Sequence, residues 1–190
     1  MGKSMKTPIL ETSRLWLRPL EEEDAPGAFL WTGDPKVSWY MRYETHESLE
    51  DTKQWLREEE KQLDSDLLYD FGFHKKDNDE LIGSGGLTFN QQQGIWELGC
   101  NLRRDCWNQG YGTEAAAAIL SFAENTLHIH RVMARHAKDN TASGRVLEKN
   151  GFSFVRECWD QKWSGSHRFE CREYIWKSEK RRGKKQRRPQ

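Results

Sequence analysis

The chain has 190 residues, 35% of them hydrophobic, a mean hydropathy of −0.97, and 30 basic residues balanced by 30 acidic ones. That length suits one domain around one core, and nine Trp, eight Phe and five Tyr supply the large buried areas that so low a hydropathy would otherwise deny it. No run approaches the ~18 apolar residues of a membrane span; the four cysteines lack a paired or regular spacing and no signal peptide precedes them, so they read as reduced thiols of a cytoplasmic protein.

Residues 1–10 read as a loose lead-in, 11–176 as the domain. Arg14 to Leu20 alternates polar and apolar residues and stops beside Pro19, the pattern of an opening strand. Glu21 to Asp24 is an acidic helix start, with Asp24 as N-cap before Ala25-Pro26. Ser48 to Leu63 carries apolar residues near helical spacing. The period then becomes two: Leu67, Tyr69, Phe71 and Phe73 alternate with polar or small residues, Leu81 to Phe89 and Ile95 to Leu102 follow, and short turns join the three strands into an antiparallel meander. Thr113 to Thr126 predicts a helix, Arg131 to Ala137 a strand, and Asn140 to Asn150 a helix closed by Gly151. Phe152 to Trp163 and Arg168 to Trp176 form a hairpin through Ser164-Gly165-Ser166. Trp31, Trp39, Trp55 and Trp159 are assigned mostly to the core. The order predicts an α+β domain, a mixed and mostly antiparallel sheet with helices on its faces.

From Lys177 to Gln190 the chain carries eight Lys/Arg and one acid, so an acidic body ends in a basic tail. A solvated end and a weak ribosome or nucleic-acid contact are both open readings.

The segment Cys106-Trp107-Asn108-Gln109-Gly110-Tyr111-Gly112-Thr113-Glu114-Ala115 lies between a strand and a helix. Gly110 and Gly112 let an anion approach the backbone, and the first amides of a helix have no partner within it, so this junction suits a phosphate. The pattern GxxxxGK[ST] is absent. Gly110-x-Gly112-x-x-Ala115 matches a dinucleotide fingerprint but fails on context: a meander precedes it, and the following strand has no acid. His128 and His130 lack further ligands, and no metal is expected.

The same segment resembles the pyrophosphate loop of the GNAT N-acetyltransferase superfamily, in the branch containing ribosomal-protein N-terminal (Rim-type) acetyltransferases. The likeness spans residues 11–176 and takes in Thr12-Ser13-Arg14-Leu15-Trp16-Leu17-Arg18-Pro19, Glu97-Leu98-Gly99-Cys100, Asn140-Thr141-Ala142-Ser143 and Lys149-Asn150-Gly151-Phe152, in order. It implies an acetyl-CoA-dependent enzyme, monomer or homodimer. The sheet would splay between its fourth and fifth predicted strands to admit the pantetheine. Cys100, Asn101 and Leu102 would meet the pantetheine and acetyl carbonyl, one N–H there serving as oxyanion donor. Residues 107–113 (Trp107, Asn108, Gln109, Gly110, Tyr111, Gly112, Thr113) would hold the pyrophosphate. Asn140 would reach the pantetheine or simply cap its helix. Ser143 would lie near the thiol as proton donor, and Glu97 would act as the base or remain an exposed strand carboxylate. Leu147 stands where many members carry a general-acid tyrosine, and Val155 where this branch often has glutamate. Trp39-Tyr40-Met41-Arg42 falls in the segment that covers the acceptor site. The implied acceptor is a protein N-terminal α-amine. A small amine (polyamine, aminoglycoside or amino-acid analogue) and a non-catalytic acyl-CoA-binding module are the alternatives.

Overall fold

A computed structural model describes residues 7–178. Eight strands form one sheet in the order β1-β2-β3-β4-β5-β6-β8-β7. These are β1 (Leu10–Glu11), β2 (Leu15–Arg18), β3 (Leu68–Lys75), β4 (Leu81–Asn90), β5 (Ile95–Leu102), β6 (Arg131–Ala137), β7 (Ser153–Gln161) and β8 (Arg168–Lys177). Five α-helices accompany them: α1 (Ala25–Thr32), α2 (Pro35–Ser38), α3 (Leu49–Glu60), α4 (Tyr111–Asn125) and α5 (Thr141–Lys149). Neighbouring strands are antiparallel except β5 and β6.

The sheet has a core on each face. Under α4 lie Leu15, Leu17, Phe71, Phe73 and Leu87, packed with the helix's own Ile119 and all fully buried. The other face is covered by α1 to α3, where Trp31, Ala28 and Leu56 pack around Leu20 and Leu81. Side-chain caps start two of the cover helices: Asp34 accepts from the Lys36 amide at α2, and Ser48 accepts from the Asp51 amide at α3. Asp24 caps no helix by side chain. Its Oδ2 accepts instead from the Glu21 amide and closes a 3₁₀ turn over Glu22–Asp24.

Differences from the sequence expectations are local. The predicted 48–63 helix runs only from Leu49 to Glu60, and α4 begins two residues early, at Tyr111. Leu10 pairs with Leu17 as part of β1. Trp39 and Trp159 are not core: each is 59% exposed, and the Trp39 ring lies tilted against His167. The basic tail beyond Ser178 lies outside the described residues.

Candidate active site

β5 and β6 pair through only three positions: Trp96 with Val132, Glu97 with Met133 and Leu98 with Ala134. Beyond Leu98 and Ala134 both strands continue, β5 to Leu102 and β6 to Ala137, without pairing to each other. The edge of β5 that faces the gap therefore offers backbone groups to a guest rather than to the sheet. The gap opens into a cavity of about 1000 Å³ that runs from the α4 N-terminus to the inner side of α1 and α3.

At the α4 end the chain is built around anion-sized space. Gly110, the N-cap of α4, has φ +84, a left-handed conformation for which glycine is suited, and it supplies no side-chain cap. The N–H groups of the first turn are left to whatever lies before the helix. Asn108 also has positive φ, and the Trp107 indole donates to the Leu102 carbonyl at 2.9 Å, tying the loop back to β5. Glu114 secures the other side. It accepts from the Thr12 and Ser13 hydroxyls and from the Arg14 amide and side chain. Burial works against its charge, but these bonds outweigh it and bring the carboxyl to about 2. Arg14, held this way, donates to the Gln109 carbonyl and lies over the Tyr111 ring, leaving its positive charge beside the loop.

α5 flanks the gap on the β6 side. Asn140 Oδ1 accepts from the Ser143 amide at 3.3 Å, so the asparagine does cap the helix, while Asn140 and Ser143 both line the cavity. Leu147 is a buried wall residue.

On the α1–α3 side, Glu97 is not a free strand carboxylate. Its Oε1 accepts from Arg42 at 2.9 Å, and Arg42 also bonds Asp160 at 2.7 Å. One guanidinium thus joins the segment after α2 to β5 and β7; burial works against its charge, but the Glu97 and Asp160 carboxylates outweigh it and hold the group above its ordinary value. Deeper in, Asp70 of β3 and Glu59 of α3 face the same space. Trp31, fully buried, lines it with an indole Nε1–H that has no hydrogen-bond partner among the described residues. Asn101 donates to Ser84 Oγ while its Oδ1 is buried without a partner. Such orphaned polar atoms suit a polar guest.

The Acetyltransferase (GNAT) domain model matches residues 14–153. The chain belongs to the GNAT acetyltransferase family. The uncharacterized N-acetyltransferase p20 of Bacillus licheniformis is 30% identical to it over 154 residues, covering 78% of this chain and 83% of that protein. The [ribosomal protein uS5]-alanine N-acetyltransferase of Escherichia coli is 32% identical over 85 residues, 43% of each chain. A crystal structure of a GNAT-family acetyltransferase from Bacillus anthracis superposes with a TM-score of 0.75 at 23% identity, covering 90% of this chain and 98% of that one.

GNAT acetyltransferases use acetyl-CoA as co-substrate, and the residues present fit it. The strand gap, the uncapped α4 N-terminus and the orphaned Asn101 oxygen form one continuous surface. Of the site residues expected from sequence, the fold brings Glu97, Cys100, Asn101, Leu102, Trp107, Asn108, Gly110, Tyr111, Gly112, Thr113, Asn140 and Ser143 onto this GNAT cavity. Gln109 lies off its lining, with its side chain turned back to the Asp105 carbonyl. Burial drives the Cys100 thiol up to about 12, which removes it as a nucleophile. Sequence reasoning missed Asp160 and Asp70, gave Arg14 no role although it lies in the opening motif, and placed Arg42 only within the segment that covers the acceptor site.

Proposed function

We propose that this enzyme transfers acetyl from acetyl-CoA to a protein N-terminal α-amine by direct attack in a ternary complex. The three-position pairing of β5 with β6, ending where the cavity begins, carries this reading. In it the pantetheine occupies the gap beside Cys100, Asn101 and Leu102, and a β5 N–H receives the oxyanion. The loop from Trp107 to Thr113 takes the pyrophosphate with Arg14 behind it, Asn140 turns its free amide to the pantetheine, and Ser143 returns a proton to the departing thiolate. Glu97 keeps a place in the machinery by fixing Arg42, and with it the cover of the acceptor side.

An α-amine with pKa near 8 is partly neutral at pH 7.5, whereas a lysine near 10.4 is only ~0.1% so. A weak carboxylate base suits the former. The uS5-alanine relative supports the same choice. A small amine is the second reading, favoured by the closed aromatic end of the cavity around the unpartnered Trp31 indole. A basic tail binding ribosomal RNA would further support the protein acceptor.

Calorimetry with acetyl-CoA on wild type beside Gly110→Glu comes first. Binding that the substitution abolishes fixes the donor site; no binding by wild type removes the proposal. Turnover of an alanine-initiated peptide against spermidine then chooses the acceptor, and binding without turnover of either marks a non-catalytic acyl-CoA module.

A further inference from the structure

The register across β3, β4 and β5 places Asp70 opposite Gly86, and Gly86 opposite Gly99. Directly paired residues share a face, so Asp70 stands on the face of Gly86 and Gly99, lines the cavity, and has no side chain between it and the β5–β6 gap along that row. Gly99 is the first β5 residue beyond the last β5–β6 pair, Leu98 with Ala134. A Cβ at Gly99 would meet nothing within 4 Å, so the ground at that end is open. Two strand spacings separate the Asp70 and Gly99 Cα atoms by roughly 10 Å, a span that one aspartate side chain and an amine, or an amine with one water, can bridge. No ion pair among the described residues reaches Asp70, whereas Glu97 on the same face is bonded to Arg42.

We propose that Asp70 is the proton acceptor for the incoming amine, with the open lane over Gly99 as the amine's path to the thioester; this rests on the acetyl-transfer reading. The Asp70 carboxylate takes one proton from R–NH3+, directly or through one water, and R–NH2 remains. The nitrogen lone pair forms the C–N bond to the acetyl carbon and the C–S bond breaks, its electron pair leaving on sulfur. Ser143 passes its proton to the thiolate and regains the one shed by the new amide nitrogen, and Asp70 returns its own proton to solvent.

The surroundings tune Asp70 for this. Burial, with the Glu59 carboxylate opposing from α3, raises the Asp70 carboxyl to about 7, where a base both holds and releases protons at neutral pH. Glu59 is itself raised by burial and bonded to Trp55. From β5 it is Glu97 that shares this face, and with His46 and Arg42 it lines the same cavity, while the Cys100 thiol, opposite Gly85 and Phe71, stands on the other face.

The test is kcat/KM against pH for wild type, Asp70→Asn and Glu97→Gln, using acetyl-CoA with an alanine-initiated peptide and with spermidine. Acetyl-CoA binding by calorimetry reports the donor site. Asp70→Asn is expected to bind acetyl-CoA as wild type does, lose at least about 100-fold in kcat/KM, and lose the rise in rate that wild type shows near pH 7. Glu97→Gln is expected to keep that rise. If Asp70→Asn does not fold, Glu59→Gln substitutes: removing the like charge should move the wild-type rise to lower pH. Asp70→Asn activity within threefold of wild type, a rise that survives in it, or a rise unmoved by Glu59→Gln overturns the assignment. Absence of turnover by wild type on both amines removes the acetyl-transfer reading and the proton acceptor with it.

Discussion

At the scale of single residues the fold spends two carboxylates in opposite ways. Glu114 is surrounded by donors and charged throughout the neutral range, fastening the segment around Arg14 to the α4 N-terminus. Its folded pKa of about 2 lies below the unfolded value, so its stabilisation is present above pH ~4.3 and is lost as pH falls toward 2. Glu114→Gln should lower stability at pH 7 by about 3 kcal/mol, with the deficit falling to roughly half at pH 3, as denaturant melts at the two pH values would read. Asp70 runs the other way. Its folded pKa, about 7, lies above the unfolded value, so the native state holds the extra proton and stability falls as pH rises from ~4 to 7. Asparagine copies the neutral form. Asp70→Asn should therefore melt higher than wild type at pH 8 and match it near pH 4, with a ceiling of about 4 kcal/mol. A rate lost together with stability gained would mark strain kept for chemistry.

At the scale of elements, the glycines of β4 and β5 differ in kind. A Cβ on Gly86 would lie 1.9 Å from the Tyr69 carbonyl oxygen of β3, so Gly86→Ala must push two strands apart. A Cβ on Gly99 meets open space. Gly86→Ala should cost more than about 3 kcal/mol. Gly99→Val should melt near wild type yet raise KM for the amine at least tenfold, because its side chain stands in the lane. Thermal melts beside steady-state kinetics separate the two. Most of these elements were legible: hydrophobic period set β2 through β8, and breaker residues set their ends. β1 and α2 were not, since two and four residues are too short to show a period. Asp70 was missed for a more instructive reason. Alternation of Tyr69, Phe71 and Phe73 assigned the intervening residues to a polar outer face, but α1 and α3 cover that face and His74 on it is 1% exposed. Periodicity tells which residues share a side; it does not tell whether a second layer covers the other one. The Glu97–Arg42–Asp160 tie was hidden likewise, because its members stand 55 and 118 positions apart in the chain.

At the scale of the whole molecule, Ser178 is tied back to the domain. Its amide donates to the His130 carbonyl and its hydroxyl bonds Glu124. The twelve residues beyond carry seven Lys/Arg against Glu179. Removing residues 179–190 should leave acetyl-CoA binding and turnover of spermidine unchanged. The shortened chain should also lose any salt-dependent binding to ribosomal RNA, seen as a flattened plot of log affinity against log salt concentration. Equal RNA binding with and without the tail would remove the ribosome contact from the proposed function.

Among the described residues, strand pairing joins β1–β5 to β6, β8 and β7 at three positions. The sheet is thus two panels joined along a short seam, and a donor molecule lying in the open part of that seam would act as the missing thread. Filling it should slow amide exchange from Gly99 to Leu102 and from Arg135 to Ala137 well beyond the change seen in β2 or β3. In that sense the co-substrate would complete the sheet before it reacts, and the enzyme would be stiffest at the moment its acetyl group is presented.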